Sequence, residues 1–124
     1  MRAVIMAGGE GSRLRPLTCD TPKPMARLCG RPTIEYILDL LSKHQVTEAA
    51  VTVRYLSDRL REAFPDGRYK NISLSFVEET KPLGTAGSVK NAAGERAEDL
   101  LVISGDALCD IDLSQAMRFH ERQK

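Results

Sequence analysis

The stretch Ala3-Val4-Ile5-Met6-Ala7-Gly8-Gly9-Glu10-Gly11-Ser12-Arg13-Leu14-Arg15-Pro16-Leu17-Thr18 decides how the rest of the chain is read. Ala3–Ala7 is a short apolar run with β-branched members, a candidate for a buried strand. The glycines that follow let backbone N–H groups approach a ligand closely. A buried strand that opens into a glycine-rich loop suits a parallel α/β sheet, in which ligands bind beyond the carboxyl ends of the strands.

Outward from this stretch the pattern alternates. Gly8 to Pro32 is irregular and holds four of the nine glycines and four of the six prolines. From Thr33 to His44, Ile34, Ile37, Leu38 and Leu41 recur at helical spacing, and Pro32 fits the first turn, where a missing N–H costs nothing. Ala49–Val53 reads as a strand. Ser57–Phe64 reads as a helix with Ser57 as a cap and Pro65-Asp66-Gly67 as its stop. Ile72–Val77 alternates with period two, Ile72, Leu74 and Phe76 sharing a face. Thr85–Ala93 is a short helix ending at Gly94. Leu100–Ser104 is apolar on both faces and is expected in the centre of the sheet. Asp112 caps a last helix, with Gln115 completing a capping box. The fold class expected is a Rossmann-like, three-layer α/β/α arrangement around a mostly parallel sheet. No closing strand follows the charged helix Met117–Lys124, so the end resembles a cut.

Composition narrows the function. The chain has 124 residues, room for one core. Its net charge of +1 hides an asymmetry. Residues 1–31 hold Arg2, Arg13, Arg15, Lys23, Arg27 and Arg31 against Glu10 and Asp20, a local +4. That balance disfavours general nucleic-acid binding and favours one small anionic ligand at one end. No apolar run reaches the ~18–20 residues of a membrane span. The apolar run at the start stops at Gly8-Gly9, too short for a secretory signal. Cys19, Cys29 and Cys109 form no CxxC pair and read as free thiols in a reducing cytoplasm.

Three segments carry chemistry. In Ala7–Thr18 the spacing is neither G-x-G-x-x-G nor a Walker A loop, but the glycines can cradle phosphates and Arg13 can hold them with a bidentate guanidinium. A turn with exposed arginines is the competing reading. In Thr21-Pro22-Lys23-Pro24-Met25 two prolines hold Lys23 on a stiff backbone; a proline-rich surface turn is the alternative. Gly105-Asp106 follows the strand Leu100–Ser104 and places a carboxylate at its end.

Gly8-Gly9-x-Gly11-Ser12-Arg13-Leu14-x-Pro16-Leu17-Thr18, with Pro22-Lys23-Pro24-Met25, Gly30-x-Pro32, Leu83-Gly84-Thr85-Ala86-Gly87 and Ile103-Ser104-Gly105-Asp106, resembles the sugar-1-phosphate nucleotidylyltransferases, above all the mannose-1-phosphate guanylyltransferases. Ser12 stands where threonine is commoner. The resemblance covers the whole chain and implies the nucleotide-diphospho-sugar transferase fold. It implies a reaction in which a sugar 1-phosphate attacks the α-phosphorus of a nucleoside triphosphate, giving an NDP-sugar and pyrophosphate.

The same resemblance implies roles. Ala7, Gly8, Gly9, Gly11 and Ser12 would cradle the triphosphate, Arg13 would hold the departing pyrophosphate, and Lys23 would lie near the attacking oxygen. Asp106 would ligate Mg²⁺. Glu79, Gly84 and Thr85 would complete the nucleotide pocket. A carboxylate at Glu79 can accept from guanine N1–H and the exocyclic amine, which favours GTP, whereas a glutamine suits uracil or thymine. Glu78-Glu79 read equally well as solvated edge charges. Alternatives are a glucose-1-phosphate transferase using UTP, dTTP or ATP, and a non-catalytic nucleotide-binding module.

The resemblance makes residues 1–124 the nucleotide-binding part and places the sugar-binding half elsewhere. It leaves a homo-oligomer possible for a full-length protein. Asp110 reads as a turn residue, His44 and His120 as lying on polar helix faces, and Arg27 and Arg31 as solvated or as extending the positive field.

Overall fold

The structure, a computed structural model, describes residues 1–96 and 98–124. Its strands are β1 (Arg2–Met6), β2 (Arg27–Leu28), β3 (Arg31–Pro32), β4 (Glu48–Val53), β5 (Arg68–Tyr69), β6 (Ile72–Glu78) and β7 (Leu100–Ser104). Its α-helices are α1 (Thr33–Lys43), α2 (Ser57–Ala63), α3 (Gly84–Ala93) and α4 (Leu113–Arg122). The main sheet has the order β5-β6-β4-β1-β7, and β2 and β3 form a separate antiparallel pair. The ladders among β1, β4, β6 and β7 are parallel, while β5 runs antiparallel to β6. The expected mostly parallel α/β sheet is therefore present.

Period two sorts the side chains of β1 onto two cores. Ala3 and Ile5 enter the larger core with Ile34, Ile37, Leu38 and Leu41 of α1 and Leu60 of α2. Val4 enters a smaller one with Ala50 and Ala92, against Val89 of α3. The four apolar residues of α1 are almost fully buried, and each such burial is worth about 1.5–3 kcal/mol. That stripe, more than helix propensity, fixes α1. Among the described residues no helix is long and apolar enough to cross a membrane.

Three local expectations change. Leu100–Ser104 is an edge strand, paired only with β1 among the described residues. Its apolar residues divide unevenly: Leu101 and Ile103 pack on the larger core, whereas Val102 is 42% exposed. Helix α3 packs chiefly over β1 and β4, and of β7 only Leu100 joins the smaller core. Ser57 is the first helical residue of α2; the cap position belongs to Leu56, in the left-handed region, with no side-chain bond. Pro32 occupies the cap position of α1, one residue earlier than the first turn. The Asp112 cap stands: Gln115 N–H donates to Asp112 Oδ1 at 2.9 Å, and the Gln115 amide donates to Oδ2 at 3.0 Å.

The order of the strands sets the location of a site. From β1 the chain steps to β4 and then to β6, moving one way across the sheet. It then returns to add β7 on the other side of β1. The reversal lies between β1 and β7, and the crevice beyond their carboxyl ends is where such sheets accept ligands.

Candidate functional site

A cleft of about 520 Å³ opens at that reversal. Ala7, Gly8, Gly9 and Arg13 follow β1, Lys23 comes from the proline-flanked turn, and Glu79 follows β6. Gly84 and Thr85 begin α3, and Asp106 follows β7. Nine of the eleven residues singled out from the sequence thus share one wall. Gly11 and Ser12 are not on it.

Gly11 shapes the loop. Its φ of +63° lies in the left-handed region, and a Cβ there would stand 2.9 Å from Thr18 Cγ2. Its carbonyl accepts from the fully buried Thr18 hydroxyl at 2.6 Å and from Leu14 N–H at 2.9 Å. These bonds close Gly11–Thr18 into a compact turn and start the short 3₁₀ helix Ser12–Leu14 that presents Arg13. Tyr55 ties the turn to the sheet by donating to the Thr18 and Cys19 carbonyls, each at 3.1 Å. Among the described residues, no backbone N–H from Gly8 to Arg13 donates to a backbone carbonyl. A run of free N–H groups on a concave loop is suited to an anion.

Lys23 opens a second 3₁₀ helix, Lys23–Met25, whose cap is Pro22 and whose Pro24 is buried. Its ammonium forms an ion pair with the Asp106 carboxylate on the cleft wall. Ser104 donates to the same carboxylate at 2.6 Å. The Lys23 ammonium, and then the Ser104 hydroxyl, hold the Asp106 carboxyl below its ordinary range. Gly105 lets this corner close: its N–H donates to the Met6 carbonyl at 2.8 Å. A Cβ at Gly105 would sit 3.0 Å from that oxygen and 3.2 Å from Pro24 Cγ.

The acidic pair after β6 divides. Glu78 is exposed and lies 3.5 Å from Arg61. Glu79 is 6% exposed, and its Oε1 is buried with no hydrogen-bond partner among the described residues. Its Oε2 lies 3.3 Å from where a Gly8 Cβ would be, so any larger residue at position 8 would crowd the carboxylate. A buried carboxylate without a donor is costly. Among the described residues no other buried side-chain polar atom lacks a partner.

Sequence reading passed over two further wall residues. Thr52, 1% exposed in β4, accepts from Ala7 N–H at 3.1 Å and so fixes where the glycine loop leaves the sheet. Arg54 follows β4 and reaches Glu10 at 3.4 Å. Neither carries a motif; only the register of β4 against β1 brings them here.

Other expectations are corrected. Arg31 is not part of the cleft, and though its side chain is 41% exposed it is not free: it bonds Asp39 at 2.8 Å and Glu35 at 3.2 Å and stacks on Tyr36 at 4.7 Å. Arg27 donates to the Gly30 carbonyl at 2.6 Å, and Arg2 donates to the Ala92 and Ala93 carbonyls at the end of α3. The local +4 is therefore spread over the molecule, with Arg13 and Lys23 alone of its six cations on the cleft wall. His44, expected on a polar face, has a side chain only 10% exposed and meets Ser114 at 2.8 Å, joining α1 to α4.

Comparison with known proteins gives the family and the fold. The family model described as "Nucleotidyl transferase" matches residues 2–124. The chain belongs to the nucleotidyl transferase family. It is 35% identical to mannose-1-phosphate guanyltransferase beta-B of Xenopus laevis, over 98% of this chain and 35% of that protein. It is 32% identical to the UTP–glucose-1-phosphate uridylyltransferase of a Synechocystis strain, over 99% of this chain and 35% of that one. Among solved structures, HddC from Yersinia pseudotuberculosis complexed with GMP-PN superposes with a TM-score of 0.83 at 30% identity, over 95% of this chain and 53% of that one. The chain thus spans about a third of the length of these curated nucleotidyl transferases.

Proposed function

We propose that this chain is the nucleotide-binding portion of a sugar-1-phosphate guanylyltransferase, with mannose 1-phosphate as the favoured acceptor. The observation that carries the reading is the cleft itself. Two cations and a carboxylate meet a free-amide loop on one side, and a buried, unpartnered Glu79 carboxylate stands on the other. The guanylyltransferase names of relatives and the guanine-type ligand of the superposed HddC structure support it.

The chemistry needs little covalent help from the protein. An oxygen of the sugar phosphate attacks the α-phosphorus of GTP, and the bond to the bridging oxygen of pyrophosphate breaks. Gly8 and Gly9 hold the phosphates through their N–H groups, so the electrophile is oriented before the attack. Arg13 neutralises charge on the departing pyrophosphate. Lys23 leaves Asp106 to meet the oxygens around the α-phosphorus as a mobile point charge. The pre-existing ion pair keeps both groups on the wall until then.

Among the described residues no three carboxylate, histidine or cysteine side chains gather into a metal cage. Asp106 alone would serve on the β7 side, which fits Mg²⁺, an ion that takes one or two carboxylates and completes its shell with phosphate oxygens and water. When bound, Mg²⁺ would withdraw charge from the phosphates. The three cysteines, all free and exposed, suit a reducing cytoplasm.

Sugar recognition is assigned to residues outside this chain, in keeping with the share of its relatives that it spans. The chain alone is expected to bind nucleotide and to turn over little; robust NDP-sugar synthesis by these 124 residues would contradict that division. In a longer protein containing it, Arg13→Ala and Asp106→Ala should each nearly abolish pyrophosphate release. Near-normal release by both variants would show the site assignment to be wrong.

A further inference from the structure

Glu79 has a neighbour that the proposed mechanism does not use. Arg54 and Glu79 flank the same point of the glycine loop: a Cβ on Gly8 would meet Glu79 Oε2 at 3.3 Å and Arg54 Cβ at 3.7 Å. Both residues follow neighbouring parallel strands, β4 and β6, on the flank of the cleft away from Lys23 and Asp106. Opposite charges so placed would ordinarily pair. These do not. Glu79 Oε1 is buried without a partner. Arg54, whose side chain is 28% exposed, uses one terminal nitrogen on Glu10 at 3.4 Å. A guanidinium has five N–H donors, so that contact leaves most of its fork unused.

A buried acceptor and an underused guanidinium lining one flank of the cleft match one nucleobase. Guanine offers donors at N1 and N2 and acceptors at O6 and N7 along adjoining edges. Adenine reverses the donor at position 6, and uracil and thymine lack the imidazole-ring acceptor. Resting on the guanylyltransferase reading above, we infer that Arg54 is a base-reading residue, its guanidinium donating to O6 and N7 of the guanine whose N1–H and amino group Glu79 accepts. Glu10 then has a role as well. It holds the fork at the cleft wall when the site is empty and links base recognition to the phosphate loop in which Glu10 lies.

The test is a set of titrations with Mg²⁺ and GTP, 7-deaza-GTP, ITP and UTP, on the wild-type protein, Arg54→Gln and Arg54→Lys. 7-Deaza-GTP lacks N7, and ITP lacks the amino group. A bidentate pair on guanine discriminates by roughly 1–3 kcal/mol, so 7-deaza-GTP is expected to bind the wild type about tenfold more weakly than GTP. In Arg54→Gln that gap should close, while the GTP-over-ITP gap set by Glu79 remains. Arg54→Lys keeps the charge but not the fork, and should lose the gap too. A 7-deaza gap that survives both substitutions overturns the proposal. So does a uniform loss for every nucleotide in Arg54→Gln, which would make Arg54 a phosphate contact. If the wild type prefers GTP to UTP yet shows no 7-deaza gap, Arg54 fails alone. If it shows no preference for GTP, the guanylyltransferase reading fails and takes this proposal with it.

Discussion

Two charged clusters in this molecule use the same residue types to opposite ends. One joins β3, α1 and β5. There Asp39 accepts from Arg31 at 2.8 Å and Tyr69 at 2.9 Å and pairs with Lys70, while Arg31 also holds Glu35. The other lies in the cleft, where Lys23 has Asp106, Arg54 has a long contact to Glu10, and a buried oxygen of Glu79 has nothing. The first cluster is saturated, and the second is not. Saturation is what separates a structural latch from a binding wall, because donors and acceptors already spent on one another are unavailable to a ligand.

Titration follows the same division. Burial works to raise the Asp39 carboxyl, but the hydrogen bonds from Lys70, Arg31 and Tyr69 outweigh it and bring it down to about 2. Burial, and then Asp39, push the Tyr69 hydroxyl up to about 12. Neither Asp39 nor Tyr69 changes charge state near neutrality.

The contrast can be broken from either side. The largest effect is expected from Arg13→Ala, which removes a charged donor that has work only when phosphate is present. Nucleotide affinity should fall about 10- to 100-fold by calorimetry, the equivalent of roughly 1.5–3 kcal/mol for a charged hydrogen bond, with the melting temperature unmoved. Next comes Glu79→Gln. Its amide can donate where the carboxylate only accepts, so the GTP preference over UTP should shrink about tenfold. Relief of the unpartnered carboxylate should leave the fold no less stable, a combination a purely structural residue would not show.

Gly11→Ala tests the loop's geometry. At a φ of +63°, and with Thr18 Cγ2 2.9 Å from the new Cβ, it should destabilise the chain by about 1–2 kcal/mol, read as a lower denaturation midpoint. Asp39→Asn should have the smallest effect, within about 1 kcal/mol for so exposed a network, and none on nucleotide affinity. The sign of its pH dependence is fixed. Because folding depresses the Asp39 pKa, its contribution is complete above the ordinary value of 3.8 and fades as pH falls toward about 2. Acid titration of stability should lose that component in the variant.

The order of strands and helices was readable because periodicity is a property of side chains along the chain. Which strand lies at an edge is not. Leu100–Ser104 has the apolar composition of a central strand, yet it pairs on one side, and Val102 faces solvent beyond the reach of α3. The glycine loop, Lys23 and Asp106 were legible from unusual residues placed after strands. Arg54 and Thr52 were not, since Thr52 belongs to an ordinary strand and Arg54 follows directly on it, and both reach the cleft only through the pairing of β4 with β1. The same blindness to tertiary pairing hid Arg31, which looked like a solvated cation and is locked to Asp39, Glu35 and Tyr69.

The central claim is that this cleft is a guanine-nucleotide site with a base side and a phosphate side. The direct measurement is a calorimetric comparison of GTP, UTP, dTTP and ATP on this chain in the presence of Mg²⁺. GTP should bind about tenfold more tightly than the others, as a base-specific bidentate contact requires. Equal affinities for all four would contradict the account, because phosphate contacts alone would then explain binding and the buried Glu79 carboxylate would read no base.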